Sequence, residues 1–163
     1  MTTAMESKNT ENKNDQVSGI TEMSEMLKKQ FAAVFNKGVS LFSAGNYQQA
    51  EKQFLEAMAF GIDLDKCTKS VASCCQMQED WHVAINYYEL ALLYSKSDNI
   101  DCYHFLGVCY VKTQDFQKAK DYLQQYITLA KDIEGTKEVE ATLKSAKLYL
   151  QIADKKIDND QNQ

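Results

Sequence analysis

Two side chains in the second half of the chain have types suited to nucleophilic chemistry. Cys102 and His104 lie two residues apart, and a thiolate activated by an imidazole can attack a carbonyl carbon. On a helix, however, residues two apart point in different directions, and no glycine-rich loop or oxyanion-forming turn accompanies this pair. The sequence therefore predicts that the chain is not an enzyme.

The cysteines could alternatively bind a metal ion. They are Cys67, Cys74, Cys75, Cys102 and Cys109. None of the paired close spacings of a zinc site occurs among them, and an odd number without a disulfide pattern is typical of reduced thiols in the cytoplasm. We predict no metal and no cofactor, and we interpret the cysteines as small hydrophobic residues buried between helices.

Composition limits the partners that the chain could bind. Its 163 residues have a formal net charge of -5, and all 18 basic residues are lysines, so the bidentate guanidinium that grips phosphates is missing. This balance argues against a nucleic-acid partner. No apolar run approaches the roughly 18 residues that span a bilayer, and residues 1–17 lack the apolar core of a signal peptide. We expect a cytoplasmic protein without membrane insertion.

Apolar residues three and four apart, few glycines and no proline predict an all-α chain. Comparison of the sequence with itself reveals a repeat of about 34 residues. The repeated positions are alanines at Ala50, Ala84 and Ala119, aromatic residues at Tyr47, Trp81 and Phe116, and candidate helix caps at Asn46, Asp80 and Asp115. Three features in one register indicate three copies of a two-helix unit.

Each unit also has a small residue twelve positions before its alanine. These residues are Gly38, Ala72 and Gly107. Small side chains let two helix backbones approach closely, so we expect them where the paired helices face each other. The turn between the two helices is predicted to lie just before each repeated aromatic residue, where the Asn or Asp side chain can accept from free amides of the second helix.

The pattern of a small residue, an aromatic residue after the turn, an alanine and a large apolar residue resembles the tetratricopeptide repeat. The units are 31–64, 65–99 and 100–133. Together with flanking helices, residues 31–156 further resemble the class II chaperones of bacterial type III secretion, which escort translocator proteins. The segments that carry this resemblance are 45–50 with Phe54, 73–76 followed by Trp81, Ala84 and Tyr88, and 105–109 with Ala119. The resemblance implies three helix pairs in a right-handed superhelix.

In such a superhelix the first helix of each pair lines a concave surface. Positions five, nine and twelve of the units are Phe35, Val39 and Phe42; Lys69, Ser73 and Gln76; and His104, Val108 and Val111. We expect these nine residues to form a peptide-binding groove. The first and third sets are largely apolar, which on an exposed face marks a partner site. The polar middle set could bond to a peptide backbone. The alternative for the first set is simple packing against the N-terminal helix.

The remaining segments flank the repeats. Residues 1–18 are predicted to be a disordered tail, and residues 19–30 a helix with Ile20, Met23, Met26 and Leu27 on one face, which caps the array or pairs with another copy. Residues 134–157 are predicted to form a C-terminal capping helix. Its inward positions are Val139, Leu143, Ala146, Leu150 and Ala153. Residues 158–163 are predicted to be a disordered tail.

Two classes of function follow from these residues and the resemblance. The resemblance implies a cytoplasmic bacterial chaperone that keeps hydrophobic translocators soluble and export-competent, and implies a homodimer. The alternative is a generic repeat scaffold or co-chaperone that mediates protein–protein interaction. A co-chaperone that clamps an acidic C-terminal peptide would need lysines and asparagines at positions five and nine, where the first unit has Phe35 and Val39.

Overall fold

The computed structural model describes residues 3–95, 99–131, 133 and 135–162, with side chains from residue 21 onward. Its helices are α1 (Thr3–Ser43), α2 (Tyr47–Met58), α3 (Leu64–Met77), α4 (Trp81–Tyr94), α5 (Ile100–Lys112), α6 (Phe116–Ala130) and α7 (Lys137–Gln161). Each helix packs against the next one along the chain, and α7 contacts both α5 and α6. The array of three hairpins closed by a seventh helix confirms the predicted all-α repeat fold.

The repeated positions form the core between the paired helices. Ala50, Ala84 and Ala119 are completely buried. The large residues that follow them by four positions are buried as well, and so are those at the next inward position. They are Phe54, Tyr88 and Leu123, then Ala57, Ala91 and Tyr126. Burial of a large apolar side chain contributes about 1.5–3 kcal/mol, so each repeat position of this kind stabilises its helix pair.

Two of the three small residues are required by close helix contact. A Cβ atom at Gly38 would lie 2.7 Å from Cε1 of Phe54, and one at Gly107 would lie 2.4 Å from Cγ of Leu123. Both distances are below the contact distance of two carbon atoms, about 3.5–4.0 Å. The glycines therefore let α1 approach α2, and α5 approach α6, with the large side chain filling the space where a methyl group would be.

The turns within the three hairpins share one backbone conformation. The second residue after each first helix has a positive φ: 79° at Gly45, 65° at Glu79 and 66° at Gln114. In each turn the following amide bonds back to the first helix, from Asn46 to the Leu41 carbonyl at 2.9 Å and likewise from Asp80 and Asp115. This is the Schellman arrangement, which ends a helix through one left-handed residue.

The predicted side-chain caps are correct at one turn and wrong at two. Asp115 accepts a hydrogen bond from the amide of Lys118 at 3.2 Å, whereas Asn46 and Asp80 make no side-chain cap bond. Their ψ angles are 62° and 64°, against 75° at Asp115, and all three lie short of the extended region usual for a capping residue.

Replacing a strained turn residue by glycine is expected to stabilise the fold. Left-handed backbone costs a non-glycine residue about 1–2 kcal/mol, and glycine removes this cost. Glycine also increases the conformational entropy of the unfolded chain, which offsets part of the gain. We therefore expect Glu79→Gly and Gln114→Gly each to raise the free energy of unfolding by about 0.5–1 kcal/mol. Chemical denaturation monitored by circular dichroism measures the change. Gly45→Ala should act in the opposite direction, and a loss of stability in both glycine variants would contradict this account.

Both chain ends are more helical than the sequence predicts. At the N-terminal end, α1 begins at Thr3 and runs without a break through both the predicted tail 1–18 and the predicted separate helix 19–30. At the C-terminal end, α7 continues to Gln161, through most of the predicted tail 158–163. No glycine or proline between residues 20 and 30 interrupts α1. Residues 21–30 are exposed, so this segment projects from the repeats and does not cap them. Ile20 lies outside the residues whose side chains are described.

The C-terminal helix packs as its spacing predicts. Ala146 and Ala153 are fully buried, and Val139, Leu143 and Leu150 pack half-buried at the same face. Lys120 on α6 forms an ion pair with Asp154 on α7, with 2.8 Å between Nζ and Oδ1. Among the described helices, none combines the length and apolar character needed to cross a membrane.

Candidate functional site

An apolar cavity of about 160 Å³ lies between the first hairpin and α3. Its walls are Val39, Phe42, Phe54, Ser70 and Ser73. Val39 and Phe42 are three residues apart on α1 and so share one face of that helix, and Val39 is 43% exposed. Three of the nine predicted groove residues, from two different units, are thus brought together around one opening.

The serines that line the cavity do not make it polar. Ser70 Oγ donates to the carbonyl of Lys66 at 2.8 Å, and Ser73 Oγ lies 2.9 Å from the carbonyl of Lys69. Serine hydroxyls that bond back to their own helix present mainly their methylene groups to a neighbour. With a valine and two phenylalanines opposite, the cavity therefore suits an aliphatic or aromatic side chain.

The structure places Phe35 in the core, contrary to the predicted groove lining. Its side chain is 6% exposed, and its ring centroid lies 5.1 Å from that of Phe54. The ammonium group of Lys66 covers the ring at 4.9 Å. Phe35 faces the α1–α2 contact because it lies one turn before Gly38, where these two helices are closest. It supports the cavity wall through Phe54 and does not line the opening.

The polar middle set lies along α3. Lys69, Ser73 and Gln76 are half-buried. The hydroxyl of Tyr88, on α4, donates to Gln76 Oε1 at 2.7 Å and lies 3.2 Å from Ser73 Oγ. Ser73 joins this polar group to the apolar cavity.

The third set does not form an open groove. His104 is 8% exposed, and its Nε2 lies 3.1 Å from Ser145 Oγ on α7, while Val108 is 6% exposed. Val111 is half-buried against the main core. The prediction of an exposed apolar face at this end is wrong because α7 packs against α5 as well as α6, and so occupies the space beside the third unit.

His104 makes the contact between α5 and α7 sensitive to pH. Burial lowers its pKa from the ordinary value of 6.5. The unfolded chain therefore binds a proton more readily, so stability is complete above about pH 6.5 and is lost as the pH falls below that value. We expect the free energy of unfolding to decrease between pH 7.5 and pH 5.5 more steeply in the wild type than in His104→Gln, which can still bond to Ser145. Parallel urea titrations at the two pH values test this, and equal slopes would contradict it.

All five cysteines are buried and unpaired, as the interpretation of packing residues predicts. Burial raises the pKa of Cys74 and Cys109 to about 12, and that of Cys67, Cys75 and Cys102 to about 11. A buried thiol with a raised pKa is a poor nucleophile. In the described part of the chain no three histidine, cysteine or acidic side chains are grouped as a metal site would require.

Sequence reasoning missed three residues of this site. Ser70 lies one helical turn before Ser73, and this spacing could have identified it. Phe54 and Tyr88 occupy the same large position of the repeat, which indicates core packing, and both are buried. Only the structure reveals that Phe54 also forms a cavity wall and that the Tyr88 hydroxyl reaches Gln76.

Residues 67–132 match the family model of the tetratricopeptide repeat. A search of curated proteins finds no significant match to the sequence.

Solved structures with this fold include secretion chaperones. PcrH from Pseudomonas aeruginosa is 16% identical, with 77% of this chain and 92% of that chain covered and a TM-score of 0.67. The Yersinia enterocolitica type III secretion chaperone SycD, in complex with a peptide of the translocator YopD, is 16% identical over 74% of this chain and 94% of that chain, with a TM-score of 0.64.

A protein of a different kind has the same fold. The Sgt2 tetratricopeptide-repeat domain from Aspergillus fumigatus is 15% identical over 77% of this chain and 82% of that chain, with a TM-score of 0.63. Matches below 25% identity establish architecture. The chain therefore has the tetratricopeptide-repeat fold that type III secretion chaperones such as PcrH and SycD also have, and residues 67–132 carry the repeat family's sequence pattern.

Proposed function

We propose that this protein is a cytoplasmic type III secretion chaperone that binds an extended segment of a hydrophobic translocator on its concave face. The observation that carries the proposal is the cavity formed by Val39, Phe42, Phe54, Ser70 and Ser73. Its apolar walls and its polar neighbour Gln76 match the needs of an extended peptide, which offers side chains for pockets and a backbone for hydrogen bonds.

The mechanism is binding without a chemical step. A translocator segment places an apolar side chain in the cavity, and the chaperone thereby covers a surface that would otherwise associate with other copies or with a membrane. Because only the unassembled client is bound, the complex stabilises the soluble form by RT ln(1 + c/Kd), where c is the free chaperone concentration. The fold likeness to SycD, solved with a translocator peptide, supports this assignment.

The second candidate is a general repeat scaffold or co-chaperone, which the likeness to the Sgt2 domain favours. A clamp for an acidic C-terminal peptide would need basic or amide side chains at positions five and nine of the first unit. Phe35 is buried there and Val39 lines the apolar cavity. These two residues favour an apolar client segment over an acidic one.

We also propose that α1 pairs two copies of the protein. The projecting part of α1 carries three exposed apolar side chains: Met23 is 61% exposed, Met26 54% and Leu27 44%. Their spacing of three and four residues places them on one face of the helix, which suits pairing with another helix. Sedimentation equilibrium of the wild type and of Met26→Glu tests this pairing. A monomeric wild type would contradict it.

The test of the chaperone function uses a set of candidate hydrophobic secreted proteins. Each is co-expressed with the wild type, and the soluble fraction is purified through a tag on the chaperone. We expect a soluble complex with at least one of them, and aggregation of that protein when it is expressed alone. If none is captured and an acidic C-terminal peptide binds instead, the scaffold function replaces the proposed one.

A further inference from the structure

A buried tyrosine fixes the orientation of the Gln76 side chain. The Tyr88 side chain is completely buried and stacks on Phe105, with 5.3 Å between the ring centroids. Its hydroxyl donates to Gln76 Oε1 at 2.7 Å. Because the ring cannot move without disrupting the core, the hydroxyl stays at the level of the α3 surface and holds the carboxamide oxygen of Gln76 toward α4.

This contact determines which atoms of Gln76 are offered to a ligand. A carboxamide has one acceptor oxygen and two N–H donors at its other end. With Oε1 engaged by the tyrosine, the part of the half-buried Gln76 carboxamide that is left for a ligand is Nε2, which carries both N–H donors. Ser73 Oγ lies 3.2 Å from the same tyrosine hydroxyl and 2.9 Å from the Lys69 carbonyl, and its single proton can be donated to only one of these two oxygens.

The position of Gln76 relates this donor to the apolar cavity. Ser73 lines the cavity, and Gln76 lies one helical turn further along the same face of α3. Three residues of helix rise about 4.5 Å, while an extended peptide advances about 3.3 Å per residue. A segment with a side chain in the cavity would therefore bring a main-chain carbonyl to Gln76 within one or two residues of that anchor.

We infer that Gln76 donates a hydrogen bond to a main-chain carbonyl of the bound extended segment, one or two residues from the side chain in the cavity, and that Tyr88 is the positioning residue that keeps Gln76 a donor. This inference rests on the proposed function. It adds a requirement on the client: at that point its backbone must have a free carbonyl acceptor.

Fluorescence anisotropy with 15-residue peptides tests the inference. The peptides, acetylated and amidated at their ends, tile the candidate hydrophobic secreted proteins of the co-expression test. For the peptide that binds most tightly, we expect Gln76→Glu to weaken binding about tenfold or more. The new carboxylate can still accept the hydrogen bond from Tyr88, but it has no N–H donor and repels the main-chain carbonyl of the peptide. Tyr88→Phe, which keeps the buried ring, should weaken binding about threefold in the wild type and have no effect in the Gln76→Ala background.

An amide-to-ester replacement in the peptide identifies the acceptor. An ester carbonyl is a poorer acceptor than an amide, so an ester at one position should weaken binding to the wild type more than to Gln76→Ala. Two controls match the variants. Gln124→Glu makes the same charge change on the exposed surface of α6, and Tyr110→Phe removes a comparable hydroxyl bond of 2.8 Å to Glu89.

The outcomes separate this inference from the proposed function. Loss of binding in Gln76→Glu and Tyr88→Phe but not in the two controls supports the donor role. If a peptide binds the wild type and all four variants equally, the inference is wrong and the chaperone function stands. If no peptide binds the wild type, both are wrong.

Discussion

Val39→Glu is expected to abolish capture of the client while the protein remains folded. Val39 lines the apolar cavity beside Phe42 and is 43% exposed, so the substitution breaks no core contact. With a peptide bound, however, the new carboxylate would be buried against apolar walls without a partner. An unpaired buried polar or charged group costs more than about 2 kcal/mol, which corresponds to a loss of affinity of at least about 30-fold.

Val83→Glu is the matched control. Val83 lies on α4, outside the cavity lining, and is 44% exposed, so the two variants carry the same charge change at the same exposure. Circular dichroism and thermal unfolding should give the same fold for both, and pull-down of the co-expressed client should fail only for Val39→Glu. Equal capture by the two variants would show that the client does not use this cavity.

Gly107→Val is expected to have the largest effect on stability. A Cβ atom at this position would lie 2.4 Å from Cγ and 2.6 Å from Cδ2 of Leu123, which is completely buried and cannot move aside. The helices α5 and α6 must then separate. Overpacking of this kind costs about 3 kcal/mol, which chemical denaturation measures as a lower midpoint.

A double mutant identifies the cause of this loss. Leu123→Ala alone should destabilise the fold by about 2–5 kcal/mol, but it also creates the space that the valine needs. We therefore expect Gly107→Val to cost much less in the Leu123→Ala background than in the wild type. Gly135→Val is the control, because a Cβ there meets only Glu140 Oε1 at 3.5 Å. Additive losses would contradict the steric explanation.

The groove was predictable only in part, and its residues illustrate why. Val39, Phe42 and Ser73 occupy equivalent or neighbouring positions in the repeat and converge on one cavity. Phe35 occupies another predicted position, yet it is buried against Phe54 because α1 and α2 touch at Gly38. A repeat position indicates the helix face on which a residue lies. How deeply that face is covered depends on the neighbouring helix.

The same limit applies at the other end of the array. His104 and Val108 lie on the predicted face of α5, but α7 occupies the adjacent space and the His104 ring bonds to Ser145. The period of about 34 residues describes contacts within and between units. It contains no information about how a helix beyond the last unit packs, because that helix has no equivalent in the earlier units.

By itself the sequence determined the local and repeated features: the three helix pairs, the helix that follows them, the buried alanines, the need for Gly38 and Gly107, and the buried cysteines. These depend on spacing along one helix or between two consecutive ones. The tertiary structure decided the rest: the cavity, the burial of Phe35 and His104, and the link from Tyr88 to Gln76. Each of these requires side chains from separate helices to meet at ångström distances, which sequence spacing does not specify.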